Sequence, residues 1–220
     1  MADLNKTDWA RHDFIWIGSG SWAAVLAARP DIAQHPLAVE WAYRGRPLIV
    51  RRTAQADDAN CVPFGLPLPP AHGKSRICGA LPTSSISAGA PPPRLADALG
   101  CIPRSWRKTV DRLLDLSPDV QTYGSLAWEH LTGLPYLSAA SDLDLLWRHD
   151  DRETTERRLD EISKIDRNAP MRIDGEMVDA SGSAVQWREL ASKTPNVIAK
   201  HIDGASLLSR AVFLEGENPC

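Results

Sequence analysis

The 220-residue chain carries 25 Lys and Arg against 28 Asp and Glu, a slightly acidic balance that argues against a general nucleic-acid binder, which shows a basic excess. Its four cysteines, Cys61, Cys78, Cys101 and Cys220, are widely spaced with no C-x-x-C pair, which disfavours a disulfide framework or a zinc site and suits a reducing, cytoplasmic setting. The opening residues show no apolar leader and no stretch is long enough to span a membrane, so the expectation is a cytoplasmic protein without a membrane anchor.

In chain order, "PLAVEWAYRGRPLIVRR" (36 to 52) predicts two short strands around a turn at Arg44-Gly45, the second ending in adjacent arginines. The prolines of "CVPFGLPLPPAHGKSRICGAL" (61 to 81) forbid a helix, and its tail predicts a strand after a turn at His72-Gly73. "LPTSSISAGAPPPR" (81 to 94) is rich in Pro, Ser, Gly and Ala, has little to bury, and reads as a linker. The expected organisation is therefore a small N-terminal α+β domain (1–82), a linker (83–93) and a second domain (94–220).

Within the second domain, "RLADALGCIPRSW" and "RKTVDRLLDLSP" have helical spacing, with Pro103 between them and Pro118 after the second. "VQTYGS" predicts a strand ending at Gly124, and "LAWEHLTG" a helix stopped at Gly133. "SDLDLLW" alternates, with Leu143 and Leu145 facing one way and Asp142, Asp144 and Leu146 the other. Residues 151–168 predict a helix with Leu159 and Ile162 on its apolar stripe and Glu153/Arg157 and Asp160/Lys164 spaced four apart. "MRIDGEMV" (171 to 178) is a strand, and "AVQWREL" follows a turn at Ser181-Gly182; the tail predicts one more strand and a last helix. The fold class is α+β, with a mixed sheet flanked by helices in the second domain.

The two aspartates of "SDLDLLW" pose a physical question, because burying carboxylates is costly unless something positive offsets them. Residues i and i+2 of a strand project from one face with Cβ atoms about 6–7 Å apart, close enough to share a divalent cation. Magnesium takes one or two carboxylates together with substrate phosphates, and an ion there would offset the repulsion between the like charges. Upstream, Gly124-Ser125 sits between a strand and a helix, where glycine lets the chain approach a phosphate and the hydroxyl and helix N–H groups donate to its oxygens. Downstream, "RIDGEMV" offers Asp174 and Glu176 on one strand face as the third carboxylate; the nucleotidyltransferase pattern that this order of segments resembles prefers Asp174, which follows an apolar residue. The competing reading of that segment is a solvated edge or a turn at Asp174-Gly175.

A polyphosphate substrate also needs cations. Arg51, Arg52, Lys74 and Arg76 are the N-terminal candidates, and Arg188 and Lys200 those of the second domain. A solvated surface charge is the competing role for each, and adjacent Arg51 and Arg52 cannot share one strand face. His12 and His130 read as structural or surface residues. Trp128 and Trp187 could stack on an adenine, with a core role preferred; Trp187 is expected inside a strand, with Arg188 facing out.

The order Gly-Ser, helix, Asp-x-Asp strand, acidic strand resembles the nucleotidyltransferase superfamily. The longer wording, "GSLAWEHLTGLPYLSAASDLDLLW", "RIDGEMVDASGSAVQWREL" and "VIAKHIDGASLLSRAVFL" with "RHDFIWI", "GRPLIVRR" and "VPFGLPLPPAHGKSRI" before it, resembles the malonate decarboxylase holo-acyl-carrier-protein synthase family. These are phosphoribosyl-dephospho-CoA transferases, and the resemblance covers nearly the whole chain. It implies transfer of 2'-(5''-phosphoribosyl)-3'-dephospho-CoA from its triphosphoribosyl precursor to a serine of the decarboxylase's acyl-carrier subunit, with loss of pyrophosphate. It further implies Asp142 and Asp144 as the catalytic Mg²⁺-binding pair, Asp174 or Glu176 as third ligand or base, and Gly124 and Ser125 at the leaving phosphates. An NTP-dependent nucleotidyltransferase with another acceptor, or a non-catalytic assembly factor for a carrier subunit, are the alternatives.

Overall fold

The computed structural model describes residues 9–55, 57, 58, 60–73 and 75–216. The chain divides into two compact units, Met1–Pro92 and Pro93–Cys220.

The first unit is built on five antiparallel strands: β1 (Phe14–Ile17), β2 (Leu48–Val50), β3 (Cys61–Pro67), β4 (Arg76–Pro82) and β5 (Ile86–Ala90), in the order β4-β3-β2-β1-β5. Three helices, α1 (Ser19–Ala28), α2 (Pro30–Ala33) and α3 (Pro36–Val39), fill the connection between β1 and β2. Buried Trp22 and Trp41 anchor these helices by donating their indole N–H groups to the Ala38 and Pro47 carbonyls at 2.7 and 2.8 Å. A buried indole needs such a partner for its one donor.

Two expectations fail here for identifiable reasons. Residues 36–39 are helical rather than a strand, because Pro36 occupies a first-turn helix position where its fixed φ and missing N–H cost nothing. The stretch read as a linker contains β5, which pairs with β1 from Phe14↔Ala90 to Ile17↔Ile86. An edge strand is held by its backbone ladder, so the small exposed side chains of Ser87, Ala88 and Gly89 do not weaken it. Prolines 91 to 93 then end it.

The second unit is a six-stranded sheet made of β6 (Gln121–Thr122), β7 (Leu143–Arg148), β8 (Ile173–Val178), β9 (Ala184–Gln186), β10 (Asn196–Lys200) and β11 (Ala205–Ser209) in the order β11-β10-β9-β8-β7-β6. Only β7 and β8 run parallel; the helix between them makes the crossover that parallel pairing requires. The helices are α4 (Arg107–Leu116), α5 (Gly124–Thr132), α6 (Arg152–Asp166), α7 (Trp187–Ala191) and α8 (Arg210–Glu215). Leu143, Leu145, Trp147, Ile173 and Met177 form one core with Val110 and Leu113 of α4, Leu159 and Ile162 of α6 and Phe213 of α8. Each such leucine or isoleucine, buried fully, contributes about 1.5–3 kcal/mol.

The segment 94–106 forms turns and two short 3-10 segments, Leu99–Cys101 and Arg104–Trp106, rather than a helix. Gly100 weakens helix formation and Pro103 forbids its continuation. On α6 the realised exposed pairs are Arg152–Glu156, four apart, and Lys164–Glu161, three apart, in place of the expected Glu153/Arg157 and Asp160/Lys164. The tail holds a hairpin of β10 and β11, one strand more than expected, before α8. No helix of the described residues is long and apolar enough to cross a membrane.

Candidate active site

Alternation on β7 puts Leu143, Leu145 and Trp147 into the core and Asp144 on the opposite face. β8 repeats the pattern with Ile173 and Met177 inside and Asp174 and Glu176 opposite. The parallel register sets Asp144 directly beside Asp174 and Leu146 beside Glu176, with strands about 4.8 Å apart. Asp142 lies just before β7 on the face of Asp144. Sequence spacing and strand pairing thus bring Asp142, Asp144 and Asp174 to one end of the sheet.

The helix α5 is brought to the same place by the backbone of Asp144. Its carbonyl accepts from the Tyr123 N–H at 3.1 Å and from the hydroxyl of buried Thr122 at 2.9 Å. The helix therefore begins beside the Asp144 side chain. Gly124 has φ +63°, and a Cβ built there would stand 1.9 Å from Asp144 Oδ2. Two independent facts, the left-handed backbone and this contact, require glycine. The close neighbour is the carboxylate itself, where the sequence alone suggested a phosphate. Ser125 follows in the first turn of α5, half-buried.

Asp174 is held by neutral donors. Its Oδ1 accepts from the Gln186 side-chain amide at 2.9 Å and from the Gly175 N–H at 3.0 Å. Gln186 is fixed in turn, since its Oε1 accepts from the Glu189 N–H at 3.1 Å and caps α7. There is no turn at Asp174-Gly175: Gly175 continues β8, and glycine is required there because a Cβ would lie 2.2 Å from the Leu145 carbonyl oxygen and 2.8 Å from the Trp147 ring. The other oxygen, Asp174 Oδ2, lies 3.8 Å from Arg172 Nη2, and Arg172 Nη1 lies 3.9 Å from Asp142 Oδ2.

Glu176 occupies a different environment. It is 4% exposed and pairs with Lys200 Nζ at 2.8 Å. Lys200, half-buried, thus reaches a carboxylate of the sheet face.

Arg188 is not brought to the carboxylates. It lies on α7, not on a strand, and forms a two-point ion pair with Asp166 at 2.7 Å for both bonds, with a third bond to the Ile173 carbonyl at 3.0 Å. Trp187 is buried and donates to the same carbonyl at 3.2 Å, and the Arg188 guanidinium covers its ring. Trp128 is also buried, stacked on Tyr136 at 5.7 Å. In the first unit, Arg51 donates to both Asp57 oxygens and to the carbonyls of Phe64, Arg52 and Gly79. All of its donors serve the fold, so Arg51 is a strut rather than a ligand group. Arg52 and Arg76 are exposed, and Lys74 lies outside the described residues. His12 has φ +73° and its N–H donates to the Val50 carbonyl at 3.0 Å. Sequence reasoning missed Arg172 and Gln186: both were in view in "RIDGE" and "VQW", but only strand pairing shows that they meet Asp174.

Among the described residues no group of three or more His, Cys, Asp or Glu side chains that could hold a metal ion is gathered. Magnesium does not need one, since one or two carboxylates and substrate phosphates complete its shell.

Residues 94–211 match the family model described as phosphoribosyl-dephospho-CoA transferase MdcG C-terminal domain, and residues 10–92 match that of the MdcG N-terminal domain. The chain is 39% identical over 210 residues to a phosphoribosyl-dephospho-CoA transferase of Bradyrhizobium diazoefficiens, spanning 94% of this chain and 92% of that protein. It is 32% identical over 212 residues to the protein of that name from Xanthomonas campestris pv. campestris (strain 8004), spanning 93% and 97%. A Pseudomonas putida protein of the same name is 32% identical over 196 residues, spanning 86% and 90%. No solved structure matches the chain. With both units matched and these relatives aligned nearly end to end, the chain belongs to the MdcG family of phosphoribosyl-dephospho-CoA transferases and is a transferase.

Proposed function

We propose that this chain transfers 2'-(5''-phosphoribosyl)-3'-dephospho-CoA from its triphosphoribosyl precursor to a serine of the acyl-carrier subunit of malonate decarboxylase, in a site of nucleotidyltransferase type. The observation that carries the reading is the in-register Asp144–Asp174 pair beside Gly124 and the first turn of α5. Family membership supplies the donor, and the wording of the sequence supplies the acceptor.

In this reading the serine oxygen forms a bond to the phosphorus nearest the ribose. The bond from that phosphorus to the pyrophosphate oxygen breaks, and pyrophosphate departs with the electron pair. The hydroxyl proton passes to Asp174 Oδ2, the oxygen that Gln186 and Gly175 leave open. Asp142 and Asp144 would hold Mg²⁺, which neutralises charge on the polyphosphate when bound. The N–H groups and hydroxyl at Gly124 and Ser125 orient the phosphates. Of the two carboxylates on β8 the reading takes Asp174, because Glu176 is buried against Lys200. Arg52 and Arg76 stay as candidates for the distant phosphates.

The test is to incubate the protein with Mg²⁺, the triphosphoribosyl precursor and the apo carrier subunit, and to weigh the carrier. The expected result is a mass gain of one phosphoribosyl-dephospho-CoA unit, lost on hydroxyl removal from the acceptor serine. An unchanged carrier, alongside turnover of plain ATP with another acceptor, would favour the general nucleotidyltransferase instead.

A further inference from the structure

Arg172 is a cation placed among the carboxylates that none of the roles above uses. Its backbone carbonyl accepts from the Leu143 N–H at 2.9 Å, so its Cα is fixed at the mouth of the β7–β8 pair. From there the guanidinium spans the gap between Asp142 Oδ2 and Asp174 Oδ2, at 3.9 and 3.8 Å. Both distances exceed a hydrogen bond. Two shielded arginine–aspartate pairs differ, since Arg188–Asp166 and Arg51–Asp57 close to 2.7 Å; the exposed Arg94–Asp119 pair is loose in the same way, at 3.7 Å, but bridges one carboxylate rather than two. Arg172 is 56% exposed, and an exposed pair without hydrogen-bond geometry holds its partner weakly. A loosely held cation with a fixed base and a long free side chain can change partners. Its planar fork of donors also fits phosphate oxygens at two points.

We propose that Arg172 is an exchangeable counter-charge: it offsets the repulsion between Asp142 and Asp174 in the resting protein, releases Asp142 when a divalent cation binds, and turns its guanidinium to the polyphosphate of the substrate. This rests on the reading of Asp142 and Asp144 as the metal-binding pair. It assigns to one residue two opposite effects, competition with the metal and attraction of the substrate.

The experiment titrates Mn²⁺, followed by its electron paramagnetic resonance signal, into the intact chain and into Arg172→Gln, Arg172→Lys and Asp142→Asn without substrate. Binding of inorganic tripolyphosphate is then measured in saturating Mg²⁺. Arg172→Gln is expected to bind Mn²⁺ about threefold to fivefold tighter, the scale of one exposed ion pair. The same variant is expected to bind tripolyphosphate about tenfold or more weakly, the scale of a lost charge-assisted hydrogen bond. Arg172→Lys should restore part of both. A purely structural arginine would move the two affinities together or not at all, and either result overturns the proposal. Mn²⁺ binding that falls in Asp142→Asn but is unchanged in Arg172→Gln overturns the role of Arg172 alone. An intact chain that binds no Mn²⁺ overturns the metal reading and this proposal with it.

Discussion

Asp174 and Glu176 stand two residues apart on one face of one strand, yet the structure treats them in opposite ways. Glu176 is buried and its charge is cancelled inside the fold by Lys200. Asp174 is 29% exposed on its side chain and is gripped by a neutral amide and a backbone N–H. A carboxylate matched by an internal cation has no charge left for a ligand. Asp174 faces a looser cation, the exposed Arg172 at 3.8 Å, and keeps an oxygen turned outward. The distinction separates a carboxylate closed into the sheet from one that in our proposal serves chemistry, and neither composition nor position on the strand reveals it.

The comparison can be broken most decisively on Asp174 and its neighbour. Asp144→Asn and Asp174→Asn should each lower carrier modification by about 10²–10³-fold, the scale of losing one preorganised electrostatic group. Their melting temperatures should stay near that of the parent, whereas Glu176→Gln should keep most of kcat and melt earlier. Equal loss of activity in all three at unchanged stability would erase the distinction. Gly124→Ala should fall with the first group, because the new methyl must displace the Asp144 carboxylate; it should also lose about 1–3 kcal/mol to the left-handed backbone, read by denaturant titration. Gln186→Leu should lower kcat by about 10–100-fold, the usual range for a residue that orients a ligand, and its far-ultraviolet circular dichroism should match the parent. For the internal pair, Glu176→Gln or Lys200→Met should cost about 1–3 kcal/mol, since each removes the charge-assisted hydrogen bond between them. The double variant Glu176→Leu with Lys200→Met should recover most of that loss, as apolar replacements of buried pairs do.

The smallest effect concerns the crossover helix that joins the two site strands. The Thr154 N–H bonded to Asp151 holds that carboxyl below its ordinary range. A depressed carboxyl stabilises the fold above its unfolded pKa of about 3.9 and loses that contribution as pH falls below it. Asp151→Ala should therefore flatten the dependence of melting temperature on pH near pH ~4 and leave it unaltered at neutral pH apart from a constant offset.

Much of the site was legible because its signals are local. The spacing of Asp142 and Asp144, the glycine that opens α5 and the alternation of β8 all act within a few residues, and the strands and helix they predict are present. What stayed hidden depends on partners far along the chain. Arg188 looked like a phosphate ligand until Asp166 arrived from the end of α6. Lys200 looked free until a hairpin carried it to Glu176. Arg51 differs, because Asp57 stands six residues away within a loop, and the carbonyls of Phe64 and Gly79 reach it only through strand pairing. The short edge strand β5 was invisible for another reason, since backbone pairing holds it and its side chains carry almost no pattern.

The clamp around Ile173 has a consequence beyond stability. Its N–H donates to Asp166 at 3.2 Å, and its carbonyl accepts from both Trp187 and Arg188. Three side chains from two helices thus fix the two peptide planes that flank Ile173 at the entrance of β8. A slide of this strand by a single residue would send Asp174 inward and Ile173 outward, so the clamp acts as a stop against slippage. The site would therefore be digital: a copy whose strand had slipped would have its carboxylates misaligned altogether, with no partly aligned form between. Damage to the clamp should appear as a smaller fraction of active enzyme of unchanged KM, counted by active-site titration, rather than as a uniformly slower one.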